Sequence, residues 1–147
     1  MRSEGPSASP GTERGRVLGL DHGTRRVGVA MSDALRITAQ PLEVVARARA
    51  VTRVAEIVAE HGIKEIVVGL PTSLRGGEGP PAIAARLFGD QVAAVTGLAV
   101  RYVDERFTTV TAEKAMLEAG ARRQVRRESL DKVAAAIILQ AFLDRPS

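Results

Sequence analysis

Arg16-Val-Leu-Gly-Leu-Asp-His-Gly-Thr-Arg-Arg-Val-Gly-Val-Ala-Met31 places two short apolar runs on either side of a turn. The first run, 16–21, has the make-up of a buried strand and ends on a carboxylate, Asp21. His22-Gly-Thr-Arg-Arg26 reads as the turn, where Gly23 has no Cβ to hinder the bend. From Val27 to Met31 the larger apolar residues alternate, which is the period of a strand. A third β-like stretch over 37–45 contains Pro41. Proline has no N–H for a ladder, so it predicts an edge strand or a bulge there. Three strands on short links predict an antiparallel meander.

Beyond residue 50 the pattern changes to alternating helices and strands. Apolar residues at 51, 54, 55 and 58 predict a helix that stops at Gly62. Glu65–Leu70 is apolar enough for the centre of a parallel sheet. A Gly/Pro-rich loop over 71–81 leads to a helix over 81–95, a strand over 98–103 and a helix over 109–119. The Ala/Ile/Leu-rich stretch 130–143 predicts a last helix with Ser129 as its N-cap. The predicted class is α/β: a mixed five-stranded sheet, antiparallel meander first and parallel strands after, flanked by helices.

The chain has 147 residues, a length that suits one domain, read here as 16–147 after a Ser/Gly/Pro-rich tail over 1–15 expected to be disordered. It has no cysteine, which excludes disulfide frameworks, thiolate metal sites and thiol nucleophiles. No apolar run approaches the roughly 18 residues of a membrane span, and the N-terminus lacks an apolar leader. The expected location is therefore the cytoplasm, away from membranes. Lys and Arg number 21 against 17 acids, for a net charge of +4, and only Lys64, Lys114 and Lys132 are lysines. Guanidinium forks match phosphate, so the bias points toward nucleic acid. Aromatics are only 3%, too few for a base-stacking platform.

Three carboxylates interrupt apolar patterns. Asp21 closes a buried strand, where a carboxylate is costly unless paired or metal-bound; the alternative is an Asx-turn over His22-Gly23. Glu105 follows a strand and precedes Arg106, so a surface ion pair competes with a site role. Asp131 shares a helix face with Ala134, Ala135, Ile138 and Phe142. A place in the first helical turn would explain its tolerance through the macrodipole, but not why it faces inward. A βα sheet can bring strand ends and a helix to one edge. Oxygen donors without Cys or a His pair suit Mg²⁺ or Mn²⁺. Two such ions about 4 Å apart support phosphodiester hydrolysis.

The loop Gly69–Gly79 lacks the Gly-Lys-Ser/Thr of a P-loop, although its Arg75 is available to a phosphate backbone. Arg122, Arg123, Arg126 and Arg127 form a cluster ahead of Asp131, either a solvated connector or a substrate clamp. Arg25 in the first turn is a further phosphate candidate. His22 and His61 read as turn and helix-end residues.

Leu18–Ala30, Ile66-Val-Val-Gly-Leu-Pro71, Asp104-Glu-Arg-Phe-Thr-Thr109 and Asp131–Leu139 together resemble, in order, the four sequence blocks of the YqgF/RuvX family. The resemblance spans 16–143. It implies an RNase H-like fold and a cytoplasmic, divalent-metal nuclease associated with 5′-end maturation of pre-16S rRNA. Asp21, Glu105 and Asp131 fall on the family's catalytic acids. A fourth carboxylate, common in related nucleases, has no clear counterpart, with Asp33 and Asp104 nearest. Two further readings remain: a Holliday-junction resolvase, which needs two opposed sites and hence a dimer, and a non-catalytic RNA-binding assembly or transcription factor. The Asp-His-Gly-Thr turn also resembles the phosphate loop of actin-like ATPases, which need two such domains. A monomer and a homodimer both remain open.

Overall fold

A computed structural model describes residues 15–72, 77–108 and 124–146. Its strands are β1 (Arg16–His22), β2 (Arg26–Ser32), β3 (Ala39–Ala46), β4 (Ile63–Leu70) and β5 (Val100–Asp104). They form one sheet in the order β3-β2-β1-β4-β5. The β1–β2 and β2–β3 pairs are antiparallel, while β4 lies parallel to both β1 and β5. The meander and the parallel half are thus both present. Strand β3 is an edge strand, and its register against β2 shifts between Val29 and Ala30, where Pro41 pairs. Proline here satisfies both expectations at once.

The helices described are α1 (Ala50–His61), α2 (Pro80–Thr96) and α3 (Gln124–Asp144). Helix α1 ends as predicted at Gly62, whose left-handed φ of 64° lets its N–H reach the Val58 carbonyl. Helices α1 and α2 cover one face of the sheet, where Leu18, Leu20, Val27, Val29, Ile66 and Val68 pack with Val54 and Ile57. Helix α3 covers the other face, packing Ala134, Ala135, Ile138, Leu139 and Phe142 on Val17, Ala30 and Val67. Burying each of the larger side chains contributes roughly 1.5–3 kcal/mol.

One expectation is corrected. The last helix begins at Gln124, not near Leu130, because Gln, Arg, Glu and Leu in the preceding stretch are themselves good helix formers. Ser129 is therefore no N-cap, and Asp131 lies about two turns into the helix, beyond the reach of the terminal dipole. The helix expected over 109–119 and the tail up to residue 14 lie outside the described residues. No helix among the described residues is long and apolar enough to cross a membrane.

Candidate active site

The three parallel strands end at one edge of the sheet, and β2 begins there. In such sheets the crevice at the strand C-termini, beside the point where the winding reverses, is the usual place for a ligand. Here that point lies between β1 and β4. Successive residues of a strand face opposite ways, so Asp21 shares the face of Val17, which belongs to the core under α3. Asp21 is 2% exposed, and its cross-strand partner is Gly28. A Cβ at Gly28 would overlap the Asp131 carbonyl oxygen and come 3.1 Å from the Lys132 nitrogen. The glycine thus lets the backbone of α3 rest on the sheet beside Asp21.

Glu105 opens a 3₁₀ turn, Glu105–Phe107, directly after β5. It is 5% exposed, and its Oε2 lies 2.9 Å from where a Cβ on Gly69 would stand. Gly69, near the end of β4, leaves the space that the carboxylate uses. Asp131 comes down from α3, and its Oδ2 accepts a 2.9 Å hydrogen bond from Arg26 Nε of β2. The fold therefore brings Asp21, Glu105 and Asp131, far apart in sequence, to one face at one edge.

Asp104 and Asp33 do not join them. Asp104 is in register with Leu70, whose side chain belongs to the opposite core. Its carboxylate accepts from the Arg106 guanidinium, the Arg106 backbone N–H and, at 2.6 Å, the Thr72 hydroxyl. The Arg106 side chain leads in holding its pKa down to about 2. Asp104 is a brace: it ties the segment after β4 to the turn that carries Glu105. Asp33 accepts from the backbone N–H groups of Leu35, Ile37 and Thr38, closing the β2–β3 connection.

His22 points to the other face from Asp21 and stacks on Phe88 of α2, with ring centroids 4.7 Å apart. Burial, and then the charge of Arg47, lower its pKa to about 4, so the ring is neutral at pH 7. An unfolded histidine takes up its proton near pH 6.5, while the folded one does so only near 4. Stability from His22 is therefore present above pH 6.5 and lost as pH falls from there toward 4. His22→Phe keeps the stack and removes the titration. Melting at pH 7 and pH 5 should show a smaller acid-induced drop in Tm for this variant than for the parent chain.

Of the arginines singled out by sequence, Arg25 is exposed at this same edge. Arg75, Arg122 and Arg123 lie outside the described residues; Arg126 and Arg127 belong to the start of α3, but their side chains lie outside them too. Sequence reading missed Arg26, Arg47 and Arg49. The Arg47 N–H donates to the Arg25 carbonyl at 2.8 Å, bringing exposed Arg47 and Arg49 to the edge that carries Asp21. The antiparallel pairing of Arg26 with Ala46, which only the folded sheet supplies, links them.

Two carboxylates this deeply buried, together with Asp131 on the same face, are hard oxygen donors of the kind a divalent cation prefers. The donor chemistry fits such an ion. Among the described residues, however, no three His, Cys, Asp or Glu side chains stand grouped around a common metal position. Asp131 is held by Arg26 instead.

Comparison with known proteins adds to this geometry. The family model described as RuvX, Holliday junction resolvase, matches residues 15–145. A protein of Agathobacter rectalis named "Putative pre-16S rRNA nuclease" is 46% identical over 135 residues, covering 88% of this chain and 94% of that one. A relative of the same name from Moorella thermoacetica is 46% identical over 133 residues, covering 88% and 95%. Thermus thermophilus RuvC in complex with Holliday junction substrate superposes with a TM-score of 0.55 at 20% identity, over 88% of this chain and 93% of that one. Another structure of T. thermophilus RuvC gives 0.51 at 17%, over 87% and 93%. At this identity the likeness speaks for the fold, which is RNase H-like.

Proposed function

Because the chain belongs to the RuvX family, we propose that it is a metal-dependent phosphodiesterase that trims the 5′ end of pre-16S rRNA. The observation that carries this reading is that Asp21, Glu105 and Asp131 lie on the same face at the same edge of the sheet, two of them buried to 5% exposure or less. Burying carboxylates at a strand edge costs stability, and a catalytic cation gives that cost a use. The names of relatives at 46% identity supply the substrate.

In this reading Asp21, Glu105 and Asp131 hold Mg²⁺ or Mn²⁺. The chemistry supplied there is a lowered pKa for the attacking water and neutralisation of charge on the phosphate being cleaved. The rest falls to the chain. The Asp104–Arg106–Thr72 brace fixes the turn that aims Glu105, and α3, seated on Gly28, fixes Asp131. Arg25, Arg47 and Arg49 line the edge outside the acids and hold backbone phosphates, which keeps the polyanion from being repelled. Arg75, Arg122, Arg123, Arg126 and Arg127 remain, from the sequence alone, further candidates for phosphate contact. Such a protein works in the cytoplasm, on nucleic acid and not at a membrane.

The family description and the shared RuvC fold favour a second reading, cleavage of a four-way DNA junction by a dimer. The test offers end-labelled pre-16S rRNA and a synthetic four-way junction to the protein with Mg²⁺, Mn²⁺ or EDTA, with its mass in solution measured alongside. Metal-dependent cut sites at the 5′ end of the 16S sequence are expected. Cleavage of the junction alone, by a dimer, selects the second reading. RNA binding with no cleavage of either substrate leaves a non-catalytic assembly factor and overturns the proposal.

A further inference from the structure

The Arg26–Asp131 pair differs in place from the other ion pairs described. Arg53–Glu43 and Arg86–Glu78 tie more exposed parts of the surface, and Glu65, which holds both Arg36 and Arg101, lies near the start of β4, at the opposite edge of the sheet. Arg26–Asp131 joins β2 to α3 across 105 residues, with side-chain exposures of 19% and 21%, on the face that carries Asp21 and Glu105. A guanidinium thus already neutralises one of the acids that the proposed function assigns to a divalent ion. From this geometry we infer that Arg26 is an exchangeable counter-ion, paired with Asp131 in the metal-free protein and displaced when a divalent cation takes that carboxylate. The inference rests on the metal reading above.

The physical reason is competition for one oxygen. A carboxylate at the rim of a low-dielectric site is unfavourable alone, so a protein that folds before it meets metal needs a substitute cation there. A monovalent guanidinium on a long side chain serves, because it satisfies Oδ2 directionally and can swing aside. It cannot remain while a doubly charged ion binds the same group, since like charges repel at contact distance. Metal and Arg26 are then linked: each weakens the other's hold on Asp131 by the same factor. Gly28 keeps α3 seated independently of the ion pair, so Asp131 stays over the edge when Arg26 leaves.

The test reads metal binding itself, by calorimetry with Mn²⁺ and no nucleic acid. Arg26→Gln should bind Mn²⁺ about tenfold more tightly than the parent chain, within the usual span of coupling between sites. Arg26→Lys, which keeps the charge, should stay near the parent value. Arg101→Gln removes the same charge far from the site and serves as control. In a second arm, the Arg26 Nε–H signal in ¹⁵N NMR, identified by its loss in Arg26→Lys, should move when Mg²⁺ saturates the protein. Equal tightening in Arg101→Gln, unchanged or weaker binding in Arg26→Gln, or an Nε–H signal indifferent to Mg²⁺ overturns the inference while the metal reading stands. No Mn²⁺ binding by the parent chain overturns the metal reading, and the inference with it.

Discussion

Asp21→Asn is expected to lower metal-dependent cleavage by about 10³-fold while leaving the protein folded and able to bind RNA. The substitution keeps the shape of the side chain and the backbone pairing of residue 21 with Gly28. It removes one negative charge from the most buried of the three acids, which is 2% exposed. A cation held by oxygen donors depends on that charge, and a neutral amide is a poor replacement. Folding has less to lose, because an amide is cheaper to bury than a carboxylate; Tm should therefore stay level or rise. The proposed reading assigns phosphate contacts to the arginines, so RNA affinity in filter binding should change by no more than about twofold. Single-turnover cleavage with excess enzyme gives the rate. Metal-dependent cleavage retained at a tenth of the parent rate or more would move the site elsewhere.

Gly28→Ala should be the most damaging small substitution in the sheet, costing about 3 kcal/mol and roughly 10 °C in Tm. The added methyl would overlap the backbone carbonyl of Asp131, not the end of a flexible side chain. No rotamer change relieves that overlap; α3 must lift from the sheet. Lifting also separates its buried Ala134, Ala135 and Ile138 from Val17 and Ala30, which is why the cost is that of overpacking and not of a surface change. Asp131 rides on the same helix, so cleavage should fall in the fraction that remains folded. Thermal melts followed by circular dichroism, with cleavage measured well below the transition, separate the two effects. A variant with parental Tm would mean that α3 does not seat on Gly28.

Much of this was open to reading in the chain. The apolar run 16–21 marked a buried strand ending on Asp21, and Gly62 marked a helix end. Pro41 predicted an edge or a bulge and occupies both. The inward-facing Asp131 was visible from helical spacing, although its assumed first-turn position was not correct. Helix starts are hard to place when the preceding residues also favour helix, as Gln124 to Leu130 do. Arg26 was read as part of a turn because its partner lies 105 residues away and no local pattern marks it. Arg47 and Arg49 were missed because their place depends on the pairing of β3 with β2, and the role of Asp104 depends on Thr72, which comes from a different strand end.

What the sequence determined by itself was local: which stretches become strands and helices, which acids break apolar patterns, and the absence of any thiol chemistry. These follow from the spacing of side chains along one segment, where period and composition act over a few residues. Only the tertiary structure decided that Asp21, Glu105 and Asp131 share an edge while Asp104 turns away, and that Arg26 holds Asp131. Those relations depend on strand order, register and the close seating of α3 on Gly28, set largely by contacts between segments far apart along the chain.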